Sequence, residues 1–236
     1  MNKDVRRVLV VAAHPDDAEY SVSGTAAMWT DAGIEVAYCI VTYGEAGGFD
    51  DASRSSVPAL REAEQRAAAA AVGVGEVTVL GFPDGAVVTG RELRLALTRE
   101  IRRMRPQLVV SHSPHRNWDY VYASHPDHLA TGEATLGAVY PDARNPFAYP
   151  ELTADEHPAW TVSQVWLTGA PRHELNHVVD ITSVFDRKIL ALRAHASQVG
   201  HLADLDERVR ARASAVAANG NLADGRLAES FHVVRV

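Results

Sequence analysis

Cysteine occurs once in 236 residues, at Cys39, so the chain has no intramolecular disulfide and no cysteine-built zinc site. Cys39 lies inside the apolar run from Val36 to Val41 and reads as a buried structural thiol. Lysine is almost as scarce. Lys3 and Lys188 are the only lysines among 23 basic residues, so an isolated arginine says little about function here. Positive charge is in deficit overall, with 30 acidic residues and a net charge of −7, and no basic stripe offsets it. That balance argues against a nucleic-acid partner. Long hydrophobic runs are also missing: no segment approaches the roughly 20 apolar residues of a membrane span. Lys3, Arg6 and Arg7 precede an apolar stretch, but at about six residues it falls short of the ~7–15 of a secretion signal. The expectation is a soluble, cytoplasmic protein with no membrane partner. A chain that is 47% hydrophobic and 22% charged buries an ordinary globular core, and residues 1–236 read as a single domain. Homo-oligomerisation is left open.

The first half alternates strand-like and helix-like segments. Val8 to Ala13 is a continuous, β-branched apolar run, too short for a helix, and predicts a buried strand. A helix from about Ser21 to Asp31 stops at Gly33, and Val36 to Tyr43 is the next strand. A glycine- and serine-rich loop, Gly44 to Val57, precedes a helix that Pro58 opens and Gly73 ends. Val77 to Phe82 is a third strand closed by the turn Pro83-Asp84-Gly85. Arg91 to Arg105 is helical up to Pro106, and Leu108 to Ser111 is a fourth strand. Such alternation implies an α/β fold: a Rossmann-like, doubly wound, mostly parallel sheet in three layers. The C-terminal part is less regular. Pro141 to Trp160 reads as a surface segment, Val162 to Thr168 and Val178 to Ile181 as strands, and Val184 to Ala196 and Leu205 to Ala218 as helices. Asn219 to Val236 has no clear pattern.

Against this background one tripeptide repeats. His14-Pro15-Asp16-Asp17 follows the first strand, and His125-Pro126-Asp127-His128 comes a little beyond the fourth. A single His-Pro-Asp is compatible with ordinary helix capping. Capping does not call for histidine, however, and two copies supply the imidazoles and carboxylates of a hydrolytic metal site. In a doubly wound sheet the first and fourth strands are neighbours, and ligands bind in the crevice beyond their carboxyl ends. His14 and Asp17 can bind one ion from a single turn, and His128 can close the set from the other side. Asp16 is then placed to take a proton from water as general base. His125, with Asp127 close by, reads as an oriented imidazole, and Asp127 alternatively as a carboxylate satisfying helix N-terminal donors.

With Gly81-Phe82-Pro83-Asp84-Gly85 between them and Ala194-His195-Ala196-Ser197-Gln198 after them, these motifs resemble the PIG-L/LmbE-like family over roughly residues 5 to 200. The resemblance implies a zinc-dependent deacetylase acting on N-acetylglucosaminyl groups, with one Zn2+ per chain on His14, Asp17 and His128. It gives Asp16 the general-base role and makes His125 and Asp127 the auxiliary acid and its partner. Fe2+ or another divalent ion is the alternative metal. Arg61 with Glu64 resembles the family's Arg-x-x-Glu, where the arginine contacts substrate, though an i,i+3 surface pair is equally compatible. Asp84 is placed to bond a sugar hydroxyl. Some members carry an oxyanion-stabilising tyrosine where this chain has Ala123, which leaves zinc, His125 or a shifted tyrosine, Tyr122 or Tyr120, to hold the oxyanion. His195 reads as a packing or surface residue. The expected substrate is a soluble small glycoside. The rival readings are an amidase on thiol-sugar conjugates, a non-haem Fe(II) oxygenase using the same ligand types, and a non-catalytic metal-dependent sugar-binding module.

Overall fold

A computed structural model of the chain describes residues 5–47 and 54–236. Lys3 and the middle of the loop expected from Gly44 to Val57 lie outside the described residues. Seven strands among the described residues form one sheet in the order β3-β2-β1-β4-β5-β7-β6. The strands are β1 (Arg7–Ala12), β2 (Glu35–Thr42), β3 (Glu76–Phe82), β4 (Leu108–His112), β5 (Gln164–Thr168), β6 (His177–Asp180) and β7 (Ala228–Arg235). The helices are α1 (Asp17–Ser21), α2 (Ser23–Asp31), α3 (Val57–Ala71), α4 (Arg91–Met104), α5 (Pro126–Gly137), α6 (Pro150–Ala154), α7 (Phe185–Ala194), α8 (Ala196–Val199) and α9 (Leu205–Asn219).

The continuous apolar run of β1 is explained by layers on both faces of the sheet. Val8, Val10 and Ala12 join one core with Trp29, Ala68 and Phe185, while Leu9 and Val11 join the other with Leu93, Leu97 and Ile101. Successive side chains of a strand face opposite ways, so a strand buried on both sides has no polar alternation to show. β1 pairs in parallel with β2 on one side and β4 on the other. The doubly wound arrangement and its crevice between β1 and β4 are therefore present.

Two differences from the sequence expectation bear on function. The helix expected from Ser21 begins at Asp17, breaks at Val22 (φ −139°) and resumes at Ser23. Side chains compete for the backbone there: Ser21 Oγ donates to Asp17 O at 2.6 Å and Ser23 Oγ to Glu19 O at 2.9 Å. The unpatterned tail contains β7, which inserts antiparallel between β5 and β6. Its buried Glu229 accepts from Gly24 N, Thr25 N, Thr25 Oγ1 and Lys188 Nζ at 2.6–3.0 Å, pinning the C-terminus to α2 and α7. The helix expected from Val184 to Ala196 also divides at His195, leaving the four-residue α8 beyond it. The segment from Pro141 to Trp160 is anchored rather than loose. The buried Arg102 guanidinium donates to the carbonyls of Asp142, Ala143, Asn145 and Ala148 at 2.8–3.2 Å. Among the described residues no helix is long and apolar enough to cross a membrane.

Candidate active site and metal centre

The crevice beyond β1 and β4 gathers four histidines and four aspartates. β1 delivers His14 and the turn that follows it, β4 ends in His112, and the N-terminus of α5 carries His125, Asp127 and His128. The ring centroids of His14 and His128 are 5.2 Å apart, although 113 residues separate His14 from Asp127 in sequence. At the centre is the Asp17 carboxylate. Its Oδ2 lies 3.4 Å from His14 Nδ1 and its Oδ1 lies 3.1 Å from His128 Nε2. Donor atoms about 3.3 Å apart correspond to the edge of a tetrahedron with metal–ligand bonds of about 2.0–2.1 Å.

The outer contacts suit the same purpose. His14 Nε2 meets both Asp84 Oδ1 and Asp127 Oδ2 at 3.1 Å, which fixes the proton on Nε2 and leaves Nδ1 turned toward Asp17. A carboxylate behind a ligating imidazole is the usual outer support of a metal site. Asp127 is itself held by the backbone N–H groups of Gly85 (2.8 Å) and Val87 (3.2 Å). Asp84 Oδ2 accepts from Ala46 N at 2.9 Å. Overlapping groups of possible ligands occur here, namely His14, His125 and His128; Asp17, His112 and His128; and His14, Asp84 and Asp127; none of the three unites His14, Asp17 and His128.

Charge balance points the same way. Burial disfavours a charged His14, yet the hydrogen bonds and charges of Asp17 and Asp84 prevail and raise it to about 11. His128 is raised against burial by Asp17. Burial also opposes ionisation of Asp17, but His128 and His112 hold its carboxyl well below the usual range. Asp84 is lowered to about 2 against the effect of burial, chiefly by its hydrogen bond with His14. The site is thus an anionic cluster that draws in positive charge, and a divalent cation meets that demand.

Asp16 behaves differently. Its backbone takes φ +90°, ψ −23°, and the chain turns so that adjacent carboxylates diverge. Asp17 faces the imidazoles, while Asp16 Oδ2 lies 3.3 Å from the Arg61 guanidinium. Burial, reinforced by the charge of Asp17 and opposed by Arg61, raises the Asp16 carboxyl to about 7. A carboxylate poised near neutrality suits general-base chemistry.

Several expected residues take unexpected partners. Asp127 does not orient the His125 ring with its carboxylate. His125 Nδ1 instead accepts from the Asp127 backbone N–H at 3.2 Å, while the Asp127 carboxylate reaches across to His14. His125 caps its own helix, so Asp127 is left free for the other motif. Nor do Arg61 and Glu64 form a surface pair. Both are buried: Arg61 donates to Gly44 O and Pro15 O at 2.7 Å, and Glu64 accepts from Ser197 N and Oγ at 2.7 Å. Tyr122 is 82% exposed and packs on Tyr120. His195 is fully buried against Glu19.

His112 has a role the sequence did not reveal. It stacks on His128 with centroids 4.1 Å apart, and its Nε2 accepts from Ala13 N at 3.1 Å. Burial and the neighbouring His128 lower its pKa to about 4, and its Nε2 also lies 3.3 Å from Asp17 Oδ2, within one group of possible ligands. The available signal was its position at the carboxyl end of the fourth strand, two residues past the apolar run Leu108 to Val110, as His14 follows the run of β1. Glu19 and Gln65, both fully buried behind Asp16, carried no such signal.

Known proteins resemble this chain in sequence and in fold. "Probable N-acetyl-alpha-D-glucosaminyl L-malate deacetylase 2" of Bacillus anthracis is 34% identical over 204 residues, covering 83% of each chain. Diacetylchitobiose deacetylase of Thermococcus kodakarensis is 33% identical over 198 residues, covering 83% of this chain and 71% of that one. Among solved structures, the N,N'-diacetylchitobiose deacetylase of Pyrococcus horikoshii with its inhibitor MPG superposes with a TM-score of 0.88. It has 28% identity and covers 98% of this chain and 85% of its own. The family described as "PIG-L: GlcNAc-PI de-N-acetylase" matches residues 9–139, from the middle of β1 to beyond α5, and so spans both halves of the site. The chain belongs to the PIG-L family of de-N-acetylases.

Proposed function

We propose that this deacetylase removes the acetyl group from the N-acetylglucosaminyl moiety of a small soluble glycoside, using one divalent ion, zinc in the first place. The observation that carries the reading is the convergence of His14 Nδ1 and His128 Nε2 on the Asp17 carboxylate, with Asp16 turned away beside them. The relatives named for glucosaminyl malate and diacetylchitobiose support the substrate class.

His14, Asp17 and His128 would hold the ion, with Asp84 and Asp127 keeping the proton of His14 on Nε2. When bound, such an ion polarises an amide carbonyl and brings the pKa of water down from 15.7 to about 7. Asp16 accepts the proton of the attacking water and returns it to the departing amine nitrogen. Arg61 keeps the Asp16 carboxylate facing one way. His125 is held below its ordinary pKa by burial and by its neighbours His14 and His128, so it is neutral. Because its Nδ1 accepts from the backbone, the proton sits on Nε2, where it can donate to the developing oxyanion. The Asp84 oxygens are taken by His14 and by Ala46 N, and Tyr122 stands exposed against Tyr120, so neither carries a substrate contact in this scheme.

The test is acetate release from a panel of N-acetylglucosaminides, with and without chelator and after zinc or iron is restored. Asp16→Asn should keep its metal and lose about 10²–10⁴ in kcat, the usual worth of a general base. Metal-independent release, or an Asp16→Asn enzyme of full activity, refutes the scheme.

A further inference from the structure

Behind Asp16 runs a chain of buried polar side chains that ends about 180 residues away in sequence. The Asp16 N–H, directed inward by the left-handed backbone, donates to Gln65 Oε1 at 3.0 Å. Gln65 Nε2 donates to Glu19 Oε1 at 3.1 Å, and Glu19 Oε2 meets His195 Nε2 at 3.2 Å. Glu19, Gln65 and His195 are each 0% exposed.

We infer that Gln65, Glu19 and His195 are positioning residues that hold the Asp16 backbone in the strained turn from which its carboxylate serves as base. The inference rests on the proposed general-base role of Asp16. A non-glycine residue at positive φ is strained and persists only where its surroundings over-determine it. This network supplies the constraint, and its hydrogen bonds converge on the Glu19 carboxylate from both ends. A carboxylate only accepts, so Glu19 obliges Gln65 to present its NH2 group on that side and its oxygen to Asp16. His195 must then donate from Nε2. Gln65 cannot flip without turning its NH2 toward the Asp16 N–H and its oxygen toward the Glu19 carboxylate, which is expensive.

Two further contacts show that the network is clamped rather than incidental. Lys188 Nζ and Ser23 Oγ both donate to the Glu19 carbonyl, at 2.7 and 2.9 Å, fixing the backbone from which the Glu19 carboxylate extends. On the opposite side Arg61 donates to Pro15 O at 2.7 Å and to Asp16 Oδ2 at 3.3 Å. The Pro15–Asp16 peptide is therefore gripped from both faces: its carbonyl by Arg61, its N–H by Gln65. Arg61 alone leaves the peptide free to rock about its one anchored end. The network behind it removes that freedom. Its hydrogen bonds go to the Asp16 backbone and not to the side chains of His14, Asp17 or His128, so its direct effect is on the base.

A double-mutant cycle tests this on the zinc-loaded enzyme, comparing wild type, Gln65→Met, Asp16→Asn and the combined variant. Gln65→Met should lower kcat about 10–10²-fold, the usual effect of misplacing a reacting group by an ångström. KM should stay within about 2-fold and metal content should be unchanged. In the Asp16→Asn background the same substitution should change kcat by less than about 2-fold, because the group it positions is already lost. At the outer end, His195→Gln keeps a donor near Nε2 and should retain most of kcat, whereas His195→Leu should not. This second pair stands independently if Gln65→Met does not fold. An equal loss in both Asp16 backgrounds, or equal effects of His195→Gln and His195→Leu, overturns the inference and leaves the general-base role standing. Wild-type turnover by Asp16→Asn overturns both.

Discussion

Replacing Gly132 by alanine separates the two halves of the metal site by a predictable amount. Gly132 lies one helical turn beyond His128 on α5, where the helix crosses the end of β4. A Cβ there would stand 2.4 Å from the His112 carbonyl oxygen, 3.0 Å from its carbon and 3.1 Å from Pro114 N. These are backbone atoms at and just past the end of a paired strand, so no side chain can swing aside. Since Cβ contacts do not fall below 3.0 Å, α5 must withdraw by about 0.6 Å. Metal–ligand distances tolerate only about 0.2 Å, so His128 leaves the donor set or strains it. Alanine gains up to about 1 kcal/mol in helix propensity, while overpacking costs about 1–3 kcal/mol. With the full propensity gain the net loss is up to about 2 kcal/mol, or a Tm lower by up to about 8 °C in a chain of this size. Zinc affinity should fall at least 10-fold, in the range usually seen when ligand support is lost. Competition titration with a chromophoric chelator measures the affinity, and calorimetry on metal-free protein measures the Tm. Gly75→Ala is the control, because a Cβ there meets nothing within 4 Å. If Gly132→Ala binds zinc as tightly as wild type, the site does not depend on the close approach of α5 to β4, and His128 does not belong to the donor set.

Lys188 and Glu229 form a pair whose side chains are 3% and 4% exposed, at 2.8 Å. Lys188→Met should cost about 3–5 kcal/mol by stranding a buried carboxylate, and adding Glu229→Gln should recover part of that loss in urea denaturation. His195 gives a pH-dependent contribution to stability. Burial opposes its protonation, but the hydrogen bond and charge of Glu19 win and raise its pKa in the fold. A raised pKa means that the contribution is complete below the unfolded value of about 6.5 and is lost as pH climbs through the folded value. The stability gap between wild type and His195→Gln should therefore be larger at pH 5.5 than at pH 9 in denaturant melts, and a constant gap refutes it. Saturating zinc should raise the Tm of metal-free wild type, since a ligand at ~100 Kd adds about 2.7 kcal/mol. Asp17→Ala should abolish that rise, and an unchanged zinc response would place the ion elsewhere.

The parallel half of the sheet was legible because each strand there is sandwiched between helix layers. β1, β2 and β4 read as unbroken apolar runs, and Gly33, Gly73 and Pro106 mark where the intervening helices stop. The antiparallel half was less legible for a matching reason. β6 is four residues long and intermediate in exposure throughout, and its pairing with β7 joins His177 to Phe231. Nothing local announces such a partner. The crevice followed from topology alone, so the two His-Pro-Asp motifs could be brought together from strand order. Glu19 and Gln65 could not. On a helix a glutamate and a glutamine look solvated, and these two are buried only because α7 and the turn at His195 pack over them.

Sequence proximity misled at Asp127, whose nearest imidazole in sequence is its partner through the backbone and whose carboxylate serves the other motif. Scarcity is a further signal, at Lys188. In a chain where arginine is the default cation, the one lysine among the described residues occupies a fully enclosed position. Its ammonium donates to Glu19 O, Tyr20 O and Glu229 Oε1 at 2.7–3.1 Å, three acceptors spread around a point. A planar guanidinium presents its donors in one fixed fork and is larger, so it cannot meet all three in the same space. Whatever made arginine common elsewhere did not prevail at this position. Lys188→Arg should accordingly fail to rescue the stability lost in Lys188→Met. If arginine restores it fully, the pocket is looser than these distances require, and the rarity of lysine carries no structural meaning.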